Sequence, residues 1–155
     1  MIIMPSAILM LLLAARAPDC SLQGPAVHSN TLPGVSPGAR NQAGPSRLFS
    51  RVEEGLNAGN ISELLPYFAA QVSISLRGWE EGYFSPGQAC SLLEQFIRTR
   101  KLTGVRFSTV DTSAERPYAT GSAFITAKGN RERVQVYISL TPAGDRWTIH
   151  LLNIH

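Results

Sequence analysis

The stretch YATGSAFITAKGNRERVQVYISLTPAGDRWTIHLLNIH, residues Tyr118–His155, decides the fold. It holds three runs, Tyr118 to Ala127, Arg133 to Leu140 and Arg146 to His155, in which apolar and polar residues alternate. Between them stand Gly129-Asn130 and Pro142-Ala143-Gly144-Asp145. Short glycine-containing turns between alternating runs are the strongest local signal for antiparallel hairpins. Pairing Lys128 with Arg131 across the first turn sets Ile125 opposite Val134, Ala123 opposite Val136 and Gly121 opposite Ile138 on one side of a sheet. The second turn extends that side to Trp147, Ile149 and Leu151. The side is apolar throughout, so it builds a core.

Working upstream, Val105 to Val110 reads as a fourth strand of this antiparallel group, with Val105, Phe107 and Thr109 inward. That places Phe107 over Gly121 and Val105 over Ala123, large residues in the space small ones leave. A slip of one residue would turn every side chain to the other face. Before it, Ser85-Pro86 opens a helix whose apolar stripe is Ala89, Leu92, Leu93, Phe96 and Ile97, the serine as cap and the proline at the first position. Gln71 to Arg77 alternates Val72, Ile74 and Leu76 against polar residues, a half-buried strand, and Gly78 to Phe84 is a polar and aromatic connection. Leu48, Val52 and Leu56 recur at helical spacing, with Gly59 as a C-terminal stop. A second helix follows, capped by Asn60 or Ser62, its buried side Leu64, Leu65, Tyr67 and Phe68 and its length limited by Pro66. The element order is α-α-β-α-β-β-β-β: an α+β domain, residues 46–155, with helices packed on one face of a curved sheet.

The residues before it are of another kind. Met1 to Ala17 contains the apolar run Ala7 to Ala15 and then Ala15-Arg16-Ala17, a small-x-small site; residues 1–17 read as a signal peptide, without the usual positive charge ahead of the apolar run. The run is shorter than the roughly 20 apolar residues of a membrane span. Residues 18–45 are rich in Pro and Gly and read as a disordered tether. Export to the periplasm or the exterior is the expectation. Pro18-Asp19 ahead of Cys20 disfavours a lipoprotein signal. With two cysteines, Cys20 and Cys90, no disulfide framework exists; one bridge is conceivable in an oxidising compartment, and a free or half-buried thiol on a helix flank is the simpler expectation.

Net charge is +3 and the densest basic cluster, Arg98, Arg100, Lys101 and Arg106, falls where a helix ends, where cations complement the helix dipole. This is not the basic and aromatic stripe of a nucleic-acid binder. His28, His150 and His155 are scattered, so no metal site follows. There is also no glycine-rich phosphate loop, and no cofactor is implied.

Three pieces together resemble a known family: Ala58-Gly59-Asn60-x-Ser62-Glu63-Leu64-x-x-Tyr67-Phe68, then Tyr83-x-Ser85-x-x-Gln88-Ala89-x-x-x-Leu93-x-x-Phe96, then Val136-Tyr137-Ile138-x-Leu140 with Trp147-x-Ile149-x-x-Leu152. Over Phe49 to Ile154 the chain is similar to the exported bacterial family called domain of unknown function 4783. The resemblance implies a cystatin-like or nuclear-transport-factor-2-like fold and supplies no catalytic residue. The chain departs from the pattern at Ile97, where a second aromatic is usual, and at the stiffer helix start Pro86-Gly87.

Enzymes of this fold class, ketosteroid isomerase among them, put a carboxylate base and hydrogen-bond donors in the cone between sheet and helices. None of the inward residues named above ionises, which leaves no catalytic residue to assign. The opposite face carries Ser122, Tyr137 and His150 in one expected cross-strand row, flanked by Phe124, Gln135 and Leu152, with Thr126, Arg133 and Ile154 beyond. A serine, a histidine and a phenol on a flat sheet have no oxyanion hole and no orienting acid. The apolar and aromatic members suit protein contact instead. The reading is a non-enzymatic exported binding domain, forming a homodimer or meeting an unknown protein partner through this face. The alternative is a small enzyme or carrier of an apolar ligand using the cone, with Trp79 and Tyr83 at the pocket mouth.

Overall fold

The computed structural model describes residues 44–155, so the expected signal peptide and nearly all of the expected tether lie outside the described residues. Helix α1 (Pro45–Ala58) buries Leu48, Phe49, Val52 and Leu56 and ends at Gly59, φ 71°, whose N–H donates to the Gly55 carbonyl. The expected second helix is a seven-residue 3-10 helix, Ile61–Tyr67. Pro66 lacks an N–H, which limits the regular helix that can form here. Strand β1 (Phe68–Leu76) follows, then β2 (Glu81–Phe84), where the sequence indicated only a connection. Helix α2 (Pro86–Arg100) starts at a full capping box between Ser85 and Gln88. Strands β3 (Thr103–Asp111), β4 (Tyr118–Ala127), β5 (Asn130–Ala143) and β6 (Arg146–Ile154) complete the chain.

The six strands lie in the order β2-β1-β6-β5-β4-β3. All neighbours are antiparallel except β1 and β6, which run parallel. The last strand therefore closes the sheet onto the first, and the Arg77 N–H extends this pairing by donating to the Ile154 carbonyl at 2.7 Å.

The β4–β5 turn is Lys128-Gly129, not Gly129-Asn130. Both residues have positive φ, 51° and 80°, as a type I′ turn requires, and Ala127 pairs with Asn130. Every expected pair is thereby displaced by two residues: Ala123 faces Val134, Gly121 faces Val136 and Ala119 faces Ile138. An even displacement keeps each side chain on its face, so the expected core side survives intact. Phe107 does stand opposite Gly121. The strands approach so closely there that a Cβ on Gly121 would overlap the Arg106 carbonyl and lie 2.7 Å from Phe107 Cα.

A second difference has the opposite consequence. Ser139 pairs with Leu151 and Leu140 with Ile149, which leaves His150 as the extra residue of a β-bulge. Beyond it the alternation reverses. Leu152 and Ile154 are fully buried, where the uninterrupted pattern put them outside, and Leu151 moves from the expected inner side to the outer one. Trp147, expected inside, is only partly buried against the core.

Helices α1 and α2 cover the inner side of the sheet. Phe49 meets Phe107 edge to face at 6.2 Å, and Trp79 meets Phe96 likewise at 6.3 Å. Val72, Ile74, Val136, Ile138, Leu140 and Ile149 all have 0% exposure, so no water-sized space touches them. The rim at β3 is sealed by side chains of α1. Asn57 accepts from the Val105 N–H and donates to the Val105 carbonyl, both at 2.8 Å, and Glu53 accepts from the Phe107 N–H at 2.8 Å. Those groups belong to an edge strand, which otherwise offers unpaired backbone to other chains. Cys90 is buried and disulfide-bonded rather than free. The other half of the bond lies outside the described residues.

Candidate interaction surface

The outer side of the sheet is covered by no helix of the described residues, and the corrected register decides which of its side chains meet. Tyr137 pairs with Thr120 on β4 and with Asn153 on β6. Ser122 pairs with Gln135 and with Arg106, and Gln135 exchanges two backbone hydrogen bonds with His155, at 2.6 and 3.0 Å. Phe124 pairs with Arg133 and Thr103. The expected row of Ser122, Tyr137 and His150 is thus taken apart. Ser122 and Tyr137 fall in adjacent rows because of the two-residue displacement, and the bulge carries His150 toward Ser139. No nucleophile–base contact is formed. Leu152, named for this face on its sequence position, belongs to the core.

Two aromatic contacts stiffen the surface. Tyr118 and Tyr137 stack with ring centres 5.9 Å apart and planes 19° apart. Arg131 lies over the Phe124 ring with its guanidinium carbon 4.0 Å from the centroid, within the range of a cation–π contact. Arg133 donates from Nη2 to Ser122 Oγ at 3.2 Å. A shallow groove of about 460 Å³ runs beside these residues, lined by Ser108, Ser122, Arg133, Gln135 and His155.

His150 is half-buried and its Nδ1 has no hydrogen-bond partner. Burial lowers its pKa from the ordinary value; the charge of Arg116 lowers it further, and a backbone hydrogen bond at Ser139 opposes them. Both lowering causes favour the neutral imidazole.

The structure does not bring Trp79 and Tyr83 together. Trp79 packs on Phe96 with Arg100 over its other side, 5.7 Å from the ring centroid, and Arg100 donates to the Gly78 carbonyl at 3.0 Å. It covers the end of α2. Tyr83 is 76% exposed and pairs with Ser73 on the outer side of β1, so the two rings serve opposite sides of the sheet. Among the described residues there is no cluster of three or more His, Cys, Asp or Glu able to hold a metal, and no helix long and apolar enough to cross a membrane.

What sequence reasoning missed is an arginine group. Arg106 stands in sequence near the basic end of α2 but points outward from β3, in the row of Ser122, on the same side of the sheet as Arg131 and Arg133 of β5. Their signal was present in the alternation Arg131-Glu132-Arg133.

The sequence profile of the family described as Domain of unknown function (DUF4783) matches residues 49–155. The chain belongs to this family. Solved DUF4783 proteins share its fold. One from Bacteroides uniformis ATCC 8492 is 16% identical with a TM-score of 0.58, over 66% of this chain and 91% of that one. Another, from Bacteroides ovatus ATCC 8483, is 17% identical with a TM-score of 0.56, over 66% and 89%. A cystatin-like protein of unknown function from Nostoc punctiforme PCC 73102 is 14% identical with a TM-score of 0.53, over 70% and 85%. A protein described as Rd1NTF2_04 with long sheet gives 13% and 0.58 over 71% and 98%. At such identities the likeness establishes the fold. This DUF4783 chain is therefore an α+β domain of cystatin-like and NTF2-like architecture. No curated protein matches it.

Proposed function

We propose that this chain is a non-enzymatic, exported binding domain that works through the outer face of its sheet, meeting another protein or a second copy of itself. One observation carries the reading: the uncovered side presents a pre-stiffened aromatic surface, the Tyr118–Tyr137 stack and Phe124 under Arg131. Aromatic and arginine side chains held in place lose little freedom on contact, and such groups anchor protein interfaces. The inner side supports the same choice. The central apolar residues Val72, Ile74, Val136, Ile138, Leu140 and Ile149 are closed to solvent and none of them ionises; the recess of about 540 Å³ between α1 and β3, with Phe49, Phe107, Glu53 and Glu54 on its wall, lies at the rim and not among them. The bonded state of Cys90 fits an oxidising compartment outside the cytoplasm, in keeping with the leader-like residues 1–17.

Self-association is the form of contact to test first. Light scattering at high micromolar concentration is expected to give a mass above that of the monomer, and Tyr137→Ala should weaken the association by more than about 1 kcal/mol with an unchanged circular dichroism spectrum. A monomeric wild type removes the homodimer and leaves contact with a different protein. A Tyr137→Ala variant that loses its fold would make the outer row structural and defeat the reading.

A further inference from the structure

We propose that the arginine end of the outer face binds an extended acidic segment of a partner protein, with carboxylates at alternate residues lying along β5 over Arg131 and Arg133. This rests on the reading of the outer face as a contact surface and names the chemistry of what it contacts. Arg131, Arg133 and Arg106 are all exposed and all project from the same side. The single acid of β4 and β5, Glu132, alternates to the other side and pairs with Arg77 at 3.5 Å. None of the three outward guanidinium groups forms an ion pair with a described carboxylate.

Spacing selects the ligand. Residues two apart on a strand are about 6.6 Å apart, so Arg131 and Arg133 match the carboxylates of an extended chain whose acids alternate with other residues. Guanidinium meets carboxylate in a bidentate geometry that ammonium cannot reproduce. Past Arg133 the same line leads into the groove of about 460 Å³ lined by Ser122, Gln135 and His155, where polar side chains can meet the backbone of the bound segment. Arg106, two strands away, adds to the field that draws an acidic chain in. A nucleic acid fits less well. Base stacking needs open ring faces, whereas Phe124 lies under Arg131 and Tyr118 and Tyr137 stack on each other.

The test uses fluorescence anisotropy with the labelled peptide Glu-Thr-Glu-Thr-Glu-Thr, the same peptide with Gln for Glu, and a single-stranded thymidine hexamer, at low and moderate salt. The Glu peptide should bind, more weakly as salt rises, and the Gln peptide should not. Arg131→Gln/Arg133→Gln should weaken binding at least about tenfold, as loss of two charge-assisted contacts implies. Arg131→Lys/Arg133→Lys should fall between, since it keeps charge and loses the bidentate fork. Both substituted side chains are exposed, and circular dichroism checks the fold. No binding of the Glu peptide at high micromolar protein, binding indifferent to the Gln variants, or tighter binding of the hexamer each overturns the inference. The broader reading is separated by self-association: a dimer that Tyr137→Ala disrupts, together with no peptide binding, refutes the arginine site alone.

Discussion

The two faces of the one sheet are built on different terms. On the inner side each residue is closed in by several others, and large and small side chains complement each other across strands, as Phe107 does over Gly121. On the outer side contacts are pairwise: a tyrosine stack, an arginine on a phenylalanine, a serine accepting from an arginine. Close-packed interiors feel the change of a single methylene, whereas cross-strand surface pairs are worth about 0.2–1 kcal/mol each. Stability thereby rests on the inner side, and the outer side is left for the contact proposed above. Strand positions one residue apart should respond very differently to substitution.

Gly121 and Ser122 give the sharpest version of that contrast. At Gly121 the obstacle to a Cβ is backbone, the Arg106 carbonyl and Phe107 Cα, which cannot swing aside as a flexible side chain can. Gly121→Ala is expected to cost about 3 kcal/mol or more in urea denaturation, beyond ordinary overpacking. Ser122→Ala, at the neighbouring outer position, should stay within about 0.5 kcal/mol. Similar losses at the two positions would erase the distinction between the faces.

The rim where the faces meet predicts an intermediate effect. Asn57 alone satisfies both backbone groups of Val105, a residue 3% exposed. Asn57→Ala leaves those groups without a protein partner, and a stability loss of about 2 kcal/mol follows. Amide hydrogen exchange at Val105 should quicken more than exchange in β5, at the centre of the sheet. Unchanged exchange at Val105 would show that water replaces the asparagine and that the edge needs no side-chain seal.

The same contrast explains what the sequence could and could not convey. Which face a residue occupies depends only on whether its offset along the strand is odd or even. Which residues touch depends on the offset itself. Taking Gly129-Asn130 as the turn shifts the turn by one residue and the pairing by two, so Ala123, Val134 and Ile138 keep their places in the core while every pairing among them changes. Lys128 was the obstacle. A lysine at positive φ is uncommon, and the neighbouring asparagine competes for the turn. The bulge at His150 was not legible at all, because the run Ile149 to Ile154 contains two consecutive leucines that fit either face until Leu152 is seen to fill the core. β2 escaped notice because Glu81–Phe84 is four residues long and pairs only with β1. Across β4 and β5 the core needed parity alone, whereas Leu152 and Ile154 needed the bulge; the surface row of Ser122, Tyr137 and His150 needed register as well.

His150 tests the boundary between the faces with the smallest effect. It is the residue the bulge leaves over, half-buried with Nδ1 unpartnered. Burial and the charge of Arg116 both lower its pKa. A histidine whose folded pKa lies below the unfolded value of about 6.5 binds its proton more readily once unfolded. Its contribution to stability is therefore fully present above that value and is lost as pH falls from it toward the lower folded pKa. Asp111 also titrates below its ordinary value, held there by the Ser113 hydroxyl and backbone N–H, but its loss begins only below about pH 4. Between pH 7.5 and 5.5 the urea midpoint of the wild type should fall, and that of His150→Gln should fall less. A wild type that gains stability on acidification in this window would mean that the imidazolium finds an acceptor in the folded state. His150 would then belong to the polar outer face and not to the margin of the core.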